Sequence, residues 1–250
     1  MKSKLALLCV TVLANATWWV GCGGSSDGAE TADSGTGAET GGNPEGGGND
    51  AGGTDAAADA KLDTTVSGPF IDLTYGSCTA LAKCDSSVVG TWKVSGGCVS
   101  ETAFDTLKTQ AMCPTLTTSD VKFQARGVVS ANALSIANAL ETKFEAKAFI
   151  PMSCTGGFAC NQIGPALTAA GMGIKTAACV DSAGAAAGCD CAVTGETKTT
   201  QAADTYKTSA GVLTTGSGRT YDYCATATEL KYTETNNNAQ LPATLTLTKQ

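Results

Sequence analysis

The sequence predicts an all-β fold, a small antiparallel up-and-down barrel with one or two short helices, stabilised by disulfides. Three observations predict it. The stretch Val88-Val89-Gly90-Thr91-Trp92-Lys93-Val94 admits the chain through a glycine into a strand whose alternate residues, Trp92 and Val94, face inward. Farther on, apolar residues recur at every second position, which is the period of a half-buried strand. Ten cysteines are spread from Cys78 to Cys224, and the chain of 250 residues contains no histidine.

Composition narrows the class. Thirty glycines and a charged fraction of only 16% leave part of the length unpacked, so one core is expected. A catalytic thiolate needs a base and a zinc site usually recruits imidazole, so cysteines without histidine read as a disulfide framework. Oxidised cysteines place the domain outside the cytosol. The net charge of −7 is unevenly distributed: Lys2 and Lys4 contribute +2, the tract from Gly23 to Val66 has nine acids against Lys61 and contributes −8, and residues 67–250 keep −1. A nearly neutral domain offers no field for nucleic acid.

Residues 1–21 read as an export signal, with Lys2 and Lys4 ahead of an apolar run from Leu5 to Val20. The residues Val20-Gly21-Cys22-Gly23 resemble the lipobox of bacterial lipoproteins, with Trp19 in place of the preferred leucine. That resemblance implies cleavage before Cys22, acylation of Cys22 and a lipid-anchored place in the bacterial cell envelope. By the same resemblance, Gly23 rather than Asp after the cysteine implies passage to the outer membrane, following the sorting rule of enteric lipoproteins. Three acyl chains exceed what stable anchoring requires. Residues 22–68 are rich in Gly, Ser, Thr, Ala, Asp and Glu and lack the apolar area to fold, so they are expected to form a disordered tether reaching roughly 35–40 Å.

The folded domain is expected over residues 69–250, starting near Pro69-Phe70-Ile71. Residues 101–112 place Phe104, Leu107 and Ala111 on one face at helical spacing, ahead of Cys113-Pro114. Val121, Phe123 and Ala125 alternate with Lys122, Gln124 and Arg126; Phe144, Ala146, Ala148 and Ile150 alternate with Lys143, Glu145 and Lys147. A second helical turn is expected near Ile163 to Ala170. Gly188-Cys189-Asp190-Cys191 reads as a strand, with a hairpin back to Cys179. The chain ends in a meander through Tyr206, Val212-Leu213, Tyr221-Asp222-Tyr223-Cys224, Leu230 with Tyr232, and a last strand carrying Leu241, Ala243, Leu245 and Leu247. About eight to ten strands are expected.

Sequence does not choose among the pairings of ten cysteines. Local loops favour Cys78 with Cys84, Cys98 with Cys113, Cys154 with Cys160, Cys179 with Cys189 and Cys191 with Cys224.

The motifs Gly90-Thr91-Trp92-Lys93-Val94, Cys189-Asp190-Cys191 and Tyr221-Asp222-Tyr223-Cys224, followed by Glu229-Leu230-Lys231, resemble the lipocalin-like domain of cysteine-rich lipoproteins of Gram-negative bacteria. The resemblance covers roughly residues 75–250. It implies an eight-stranded barrel with one open mouth and room for one small apolar ligand. It also implies that Trp92, admitted by Gly90, crosses the closed base beneath a basic residue, for which Arg126, Arg219 and Lys249 are candidates.

Two readings of function follow. In the first, the barrel takes up a small apolar ligand in a cavity lined by Val121, Phe123, Phe144, Ala146, Ala148, Leu230 and Tyr232. In the second, a filled barrel is a structural or interaction module displayed on a tether. Without histidine there is no Ser-His-Asp or Cys-His unit, and Asp190, Asp222 and Glu229 read as solvated carboxylates rather than a catalytic pair. No enzyme activity, cofactor or metal is expected; the partner is the membrane, through the lipid anchor.

Overall fold

The structure is a computed structural model that describes residues 62–110, 112–170, 173–184, 186–236 and 242–250. The export signal, Cys22, most of the tether, Ala111 and Leu241 lie outside the described residues. All the described residues fall in one compact unit, Gly52–Gln250.

Among the described residues ten strands form one sheet: β1 (Ile71–Gly76), β2 (Gly90–Ser100), β3 (Thr117–Ala131), β4 (Ser135–Pro151), β5 (Ile174–Asp181), β6 (Gly188–Ser209), β7 (Val212–Thr215), β8 (Thr220–Ala225), β9 (Glu229–Glu234) and β10 (Ala243–Lys249). A 3-10 turn at Glu101–Phe104 leads into helix α1 (Asp105–Gln110), and helix α2 (Cys160–Ala169) precedes β5. The pairings β2–β3, β3–β4, β4–β6, β6–β7, β7–β8, β8–β9, β9–β10 and β10–β2 are all antiparallel and return on themselves.

Two strands depart from the up-and-down order. β1 wedges between β2 and β3, antiparallel to β3 (Leu73 opposite Phe123) but parallel to β2 (Thr74 opposite Cys98). The direct β2–β3 ladder runs only from Gly90 to Lys93, so β1 fills the gap where those strands part. β5 forms the expected hairpin with β6 (Cys179 opposite Cys191) and lies against α2, where Gly164 leaves room for the Ala177 carbonyl. β6 is one continuous strand of 22 residues, longer than the separate pieces the sequence suggested.

The start of the domain also differs. Residues 62–68, assigned from composition to the tether, run across the outer face of β3 and β4. Leu62, Val66 and Phe70 are half-buried while the residues between them are exposed. The Asp63 N–H donates to Ser130 Oγ (3.2 Å), and Arg126 Nη1 donates to the Gly68 carbonyl (3.3 Å). The Phe70 ring lies under Arg126 Cζ (4.4 Å) and Lys143 Nζ (4.2 Å). This strap accompanies a small outer cluster of buried Val128, Ala137 and Ala139, separate from the main core.

All ten domain cysteines are bridged, with partners unlike the local ones expected: Cys78–Cys98, Cys84–Cys224, Cys113–Cys154, Cys160–Cys189 and Cys179–Cys191. Loop proximity was the wrong criterion, because the sheet brings distant residues into register. Cys179 faces Cys191 across a ladder, and parallel β1 carries the chain past Cys98. Cys84, in the segment between β1 and β2, runs beside β8, where its N–H donates to the Tyr223 carbonyl (3.1 Å), so its bridge to Cys224 closes a loop with a sequence separation of 140. Chain-entropy arithmetic gives such a closure about 4–5 kcal/mol.

Candidate functional site

Gly90 and Trp92 stand where β2 enters the sheet. Gly90 has φ +140°, a backbone conformation that favours glycine, and a Cβ there would meet Lys249 Cε at 2.8 Å. The space is used: Lys249 faces Trp92 in the β10–β2 register, and its Nζ lies 5.1 Å from the Trp92 ring centroid. Trp92 is fully buried, and its Nε1 donates to the Val88 carbonyl at 2.8 Å. Lys249 is thus the basic partner of Trp92, while Arg126 and Arg219 serve elsewhere.

The seven residues expected to line a ligand cavity divide between two regions. Phe123, Ala146 and Ala148 are buried and Val121 and Phe144 half-buried, all packed in the core. There the Phe123 and Phe144 centroids are 5.8 Å apart, and Phe104 lies 5.9 Å from each. Tyr75 completes the cluster at 5.8 Å from Phe123 and 6.1 Å from Phe104. Aromatic rings fill this region instead of lining a void, because Phe104 from the 3-10 turn and Tyr75 from β1 enter it.

Leu230 and Tyr232 do line a cavity, together with Val88, Val129, Ile136, Asn138, Gln201, Leu213, Thr215, Tyr221 and Tyr223. Its volume is about 30 Å³, room for one or two water molecules. Several polar groups are set into its mainly apolar lining. Asn138 Nδ2 donates to Gln201 Oε1 (3.0 Å), and Tyr221 and Tyr232 meet edge to face at 5.8 Å. The Tyr223 hydroxyl donates to the Ser86 carbonyl (3.0 Å). Asn138 Oδ1 and the Tyr232 hydroxyl are buried with no partner. Burial pushes the Tyr232 phenol far above its ordinary range; burial followed by the Glu234 charge raises Tyr221. Arg219 Nη1 donates to the Tyr221 hydroxyl (3.4 Å), while Arg219 Nε stands 3.6 Å from Glu234 Oε1, an ion pair too long for a hydrogen bond.

Period-two alternation through Ile136, Asn138 and Leu140 was the available signal for this lining. It places a polar side chain at an inward position of an apolar strand.

The carboxylates weighed for chemistry are dispersed. Asp222 pairs with Lys83 (3.2 Å), Glu229 with Lys231 (2.9 Å), and Asp190 is exposed. Among the described residues the most enclosed carboxylate is Glu141 on the outer face of β4, held by Arg126 Nη2 (2.6 Å) and Lys198 Nζ (3.0 Å); these two cations keep it below the usual carboxylate range. Among the described residues no three His, Cys, Asp or Glu side chains converge in a way that would hold a metal ion. Comparison with family models, with curated proteins and with solved structures returns no match for this chain.

Proposed function

We propose that the chain is a lipid-anchored lipoprotein of the bacterial cell envelope, attached through Cys22. Its folded part would be a lipocalin-like barrel with a filled interior, a non-enzymatic interaction module displayed on an acidic tether. One observation carries the choice of a filled module over a ligand-binding calyx: the interior leaves about 30 Å³ beside the tyrosines, against the several hundred Å³ of a typical ligand pocket. The closed succession of eight antiparallel strands and Trp92 beneath Lys249 support the lipocalin-like reading. Five disulfides support an oxidising, exported location.

Native mass spectrometry and organic extraction of the purified domain test the filled interior. The expected result is the mass of the oxidised polypeptide alone; recovery of a stoichiometric apolar ligand would restore the calyx. Incorporation of labelled palmitate, abolished by Cys22→Ser, tests the anchor, and labelling that survives the substitution would refute it.

A further inference from the structure

Strand β6 has an open edge. It pairs with β4 along most of its length, from Gly188 opposite Pro151 to Thr205 opposite Ser135. Its other side is covered only toward the ends. The β5 ladder reaches Gly195, beyond which the Glu196 N–H donates to the Gly173 carbonyl (3.0 Å). The β7 ladder starts at Tyr206, next to Thr205, whose carbonyl accepts from the Gly216 N–H (2.8 Å). Between them, residues 197–204 have no strand on this side among the described residues. Backbone groups alternate in direction along an antiparallel strand. The Glu196 N–H points away from β4, so those of Lys198 and Thr200 do as well, ahead of the bulge between Gln201 and Asp204.

A row of outward backbone groups is a template for a further strand. The charged side chains along it are held within the domain: Glu196 by Lys175 (2.8 Å), Lys198 by Glu141 (3.0 Å) and Asp204 by the Ser217 N–H (2.9 Å). The other side chains from 197 to 204 are Thr, Gln and Ala, so this edge offers hydrogen bonds more than charge.

The strap leads the chain to this edge. From Phe70, beneath Arg126 of β3 and Lys143 of β4, it passes Ser130 and arrives at Leu62. Leu62 shares an open outer groove of about 430 Å³ with Ala137 of β4 and with Ala202 and Ala203 of β6. Ala202 and Ala203 are exposed and belong to the open stretch. The compact unit that holds the domain starts at Gly52, ten residues ahead of Leu62. Residues 52–61 contain no proline, so each has an N–H to donate, and the methyl groups of Ala56, Ala57, Ala58 and Ala60 suit a groove walled by alanines. At about 3.3 Å per residue, this tract is long enough to follow the whole open edge.

We propose that residues 52–61 dock in this groove and along the open edge of β6, exchanging backbone hydrogen bonds with Lys198 and Thr200. The tether then begins ahead of Gly52, and the chain itself covers an edge that would otherwise recruit other chains. The inference goes beyond the reading of the domain as an interaction module and depends neither on a filled interior nor on the anchor.

Amide hydrogen exchange tests it on the chain 23–250, on the same chain lacking residues 52–61, and on one carrying Ala56→Pro, Ala57→Pro and Ala58→Pro, which keeps the length but removes N–H groups. In both variants the amides of Lys198 and Thr200 should exchange roughly tenfold faster or more, while Thr199, whose N–H faces β4, keeps its rate. The proline variant reads the contact should the deletion fail to fold. Equal exchange at Lys198 and Thr200 in all three chains would overturn the proposal. So would protection that rises with protein concentration, which would put a second copy on the edge. Faster exchange at Thr199 as well would overturn it too, since the tract would then brace the whole ladder instead of covering its edge.

Discussion

Toward α2, the interior is closed by Phe104, Phe123 and Phe144 with Tyr75; toward the β3–β4 turn it is closed by Tyr221, Tyr223 and Tyr232 with Asn138 and Gln201. Both regions are aromatic and share one core, yet they solve the packing problem differently. A phenylalanine asks only for neighbours at van der Waals distance, and rings in tilted or edge contact add about 0.5–1.5 kcal/mol per pair beyond burial. A buried tyrosine must also find a partner for its hydroxyl. Tyr223 finds the Ser86 carbonyl and Tyr206 the Asn132 carbonyl (2.7 Å), but Tyr232 finds none among the described residues. The phenylalanine region is therefore packed ring against ring, and the tyrosine region is left with a small, mainly apolar cavity into which unpartnered polar atoms are set.

The largest effect is expected from emptying the filled region. Phe123 is buried and touches Tyr75, Phe104 and Phe144, so Phe123→Ala should cost about 3–5 kcal/mol, measured by denaturant unfolding with the disulfides intact. A cost below about 1 kcal/mol would mean that the cluster collapses readily and that the two regions are alike. A smaller loss is expected from overfilling the same region. Gly195 stands opposite Phe144 in the β4–β6 register, and a Cβ there would collide with the Phe144 ring. Gly195→Ala should destabilise by about 1–3 kcal/mol, and pairing it with Phe144→Leu should recover part of that loss.

The phenylalanine region was partly legible in the sequence, and the tyrosine region much less so. Alternation along β3 and β4 identified Phe123, Phe144, Ala146 and Ala148 as inward, since period two is a local property of a strand. It did not reveal that they are covered, because the covering residues, Tyr75 and Phe104, come from a parallel strand and a 3-10 turn whose placement depends on the whole sheet. Composition assigned residues 62–68 to the tether, since a strap anchored by one apolar side chain in four has no recognisable period. The disulfides failed for a related reason: chain proximity is legible in a sequence, whereas the placement of a segment against a strand distant in the chain, such as the one that brings Cys84 to Cys224, is not. Trp92 and Gly90 stood out because their demands are local, a positive φ and an indole that must be buried.

The smallest effect at neutral pH is the one that best separates the two regions. Tyr232→Phe removes a hydroxyl that is buried without a partner, so the substitution should change stability by less than about 1 kcal/mol at pH 7, or raise it. The difference should grow in alkali. Burial raises the folded-state pKa of Tyr232, and also of Tyr221 and Tyr223, above the ordinary phenol value of about 10. A group raised on folding contributes its stability below the unfolded pKa and loses it as the pH climbs toward the folded value, because the unfolded chain releases the proton first. The parent protein should therefore lose stability progressively above pH about 10, and Tyr232→Phe should lose less over the same interval. Phe123→Ala should shift the whole curve downward without changing its alkaline slope. If Tyr232→Phe fell with the parent's slope, the hydroxyl would be exchanging its proton in the folded state, and the tyrosine region would be open to solvent instead of enclosing one or two waters.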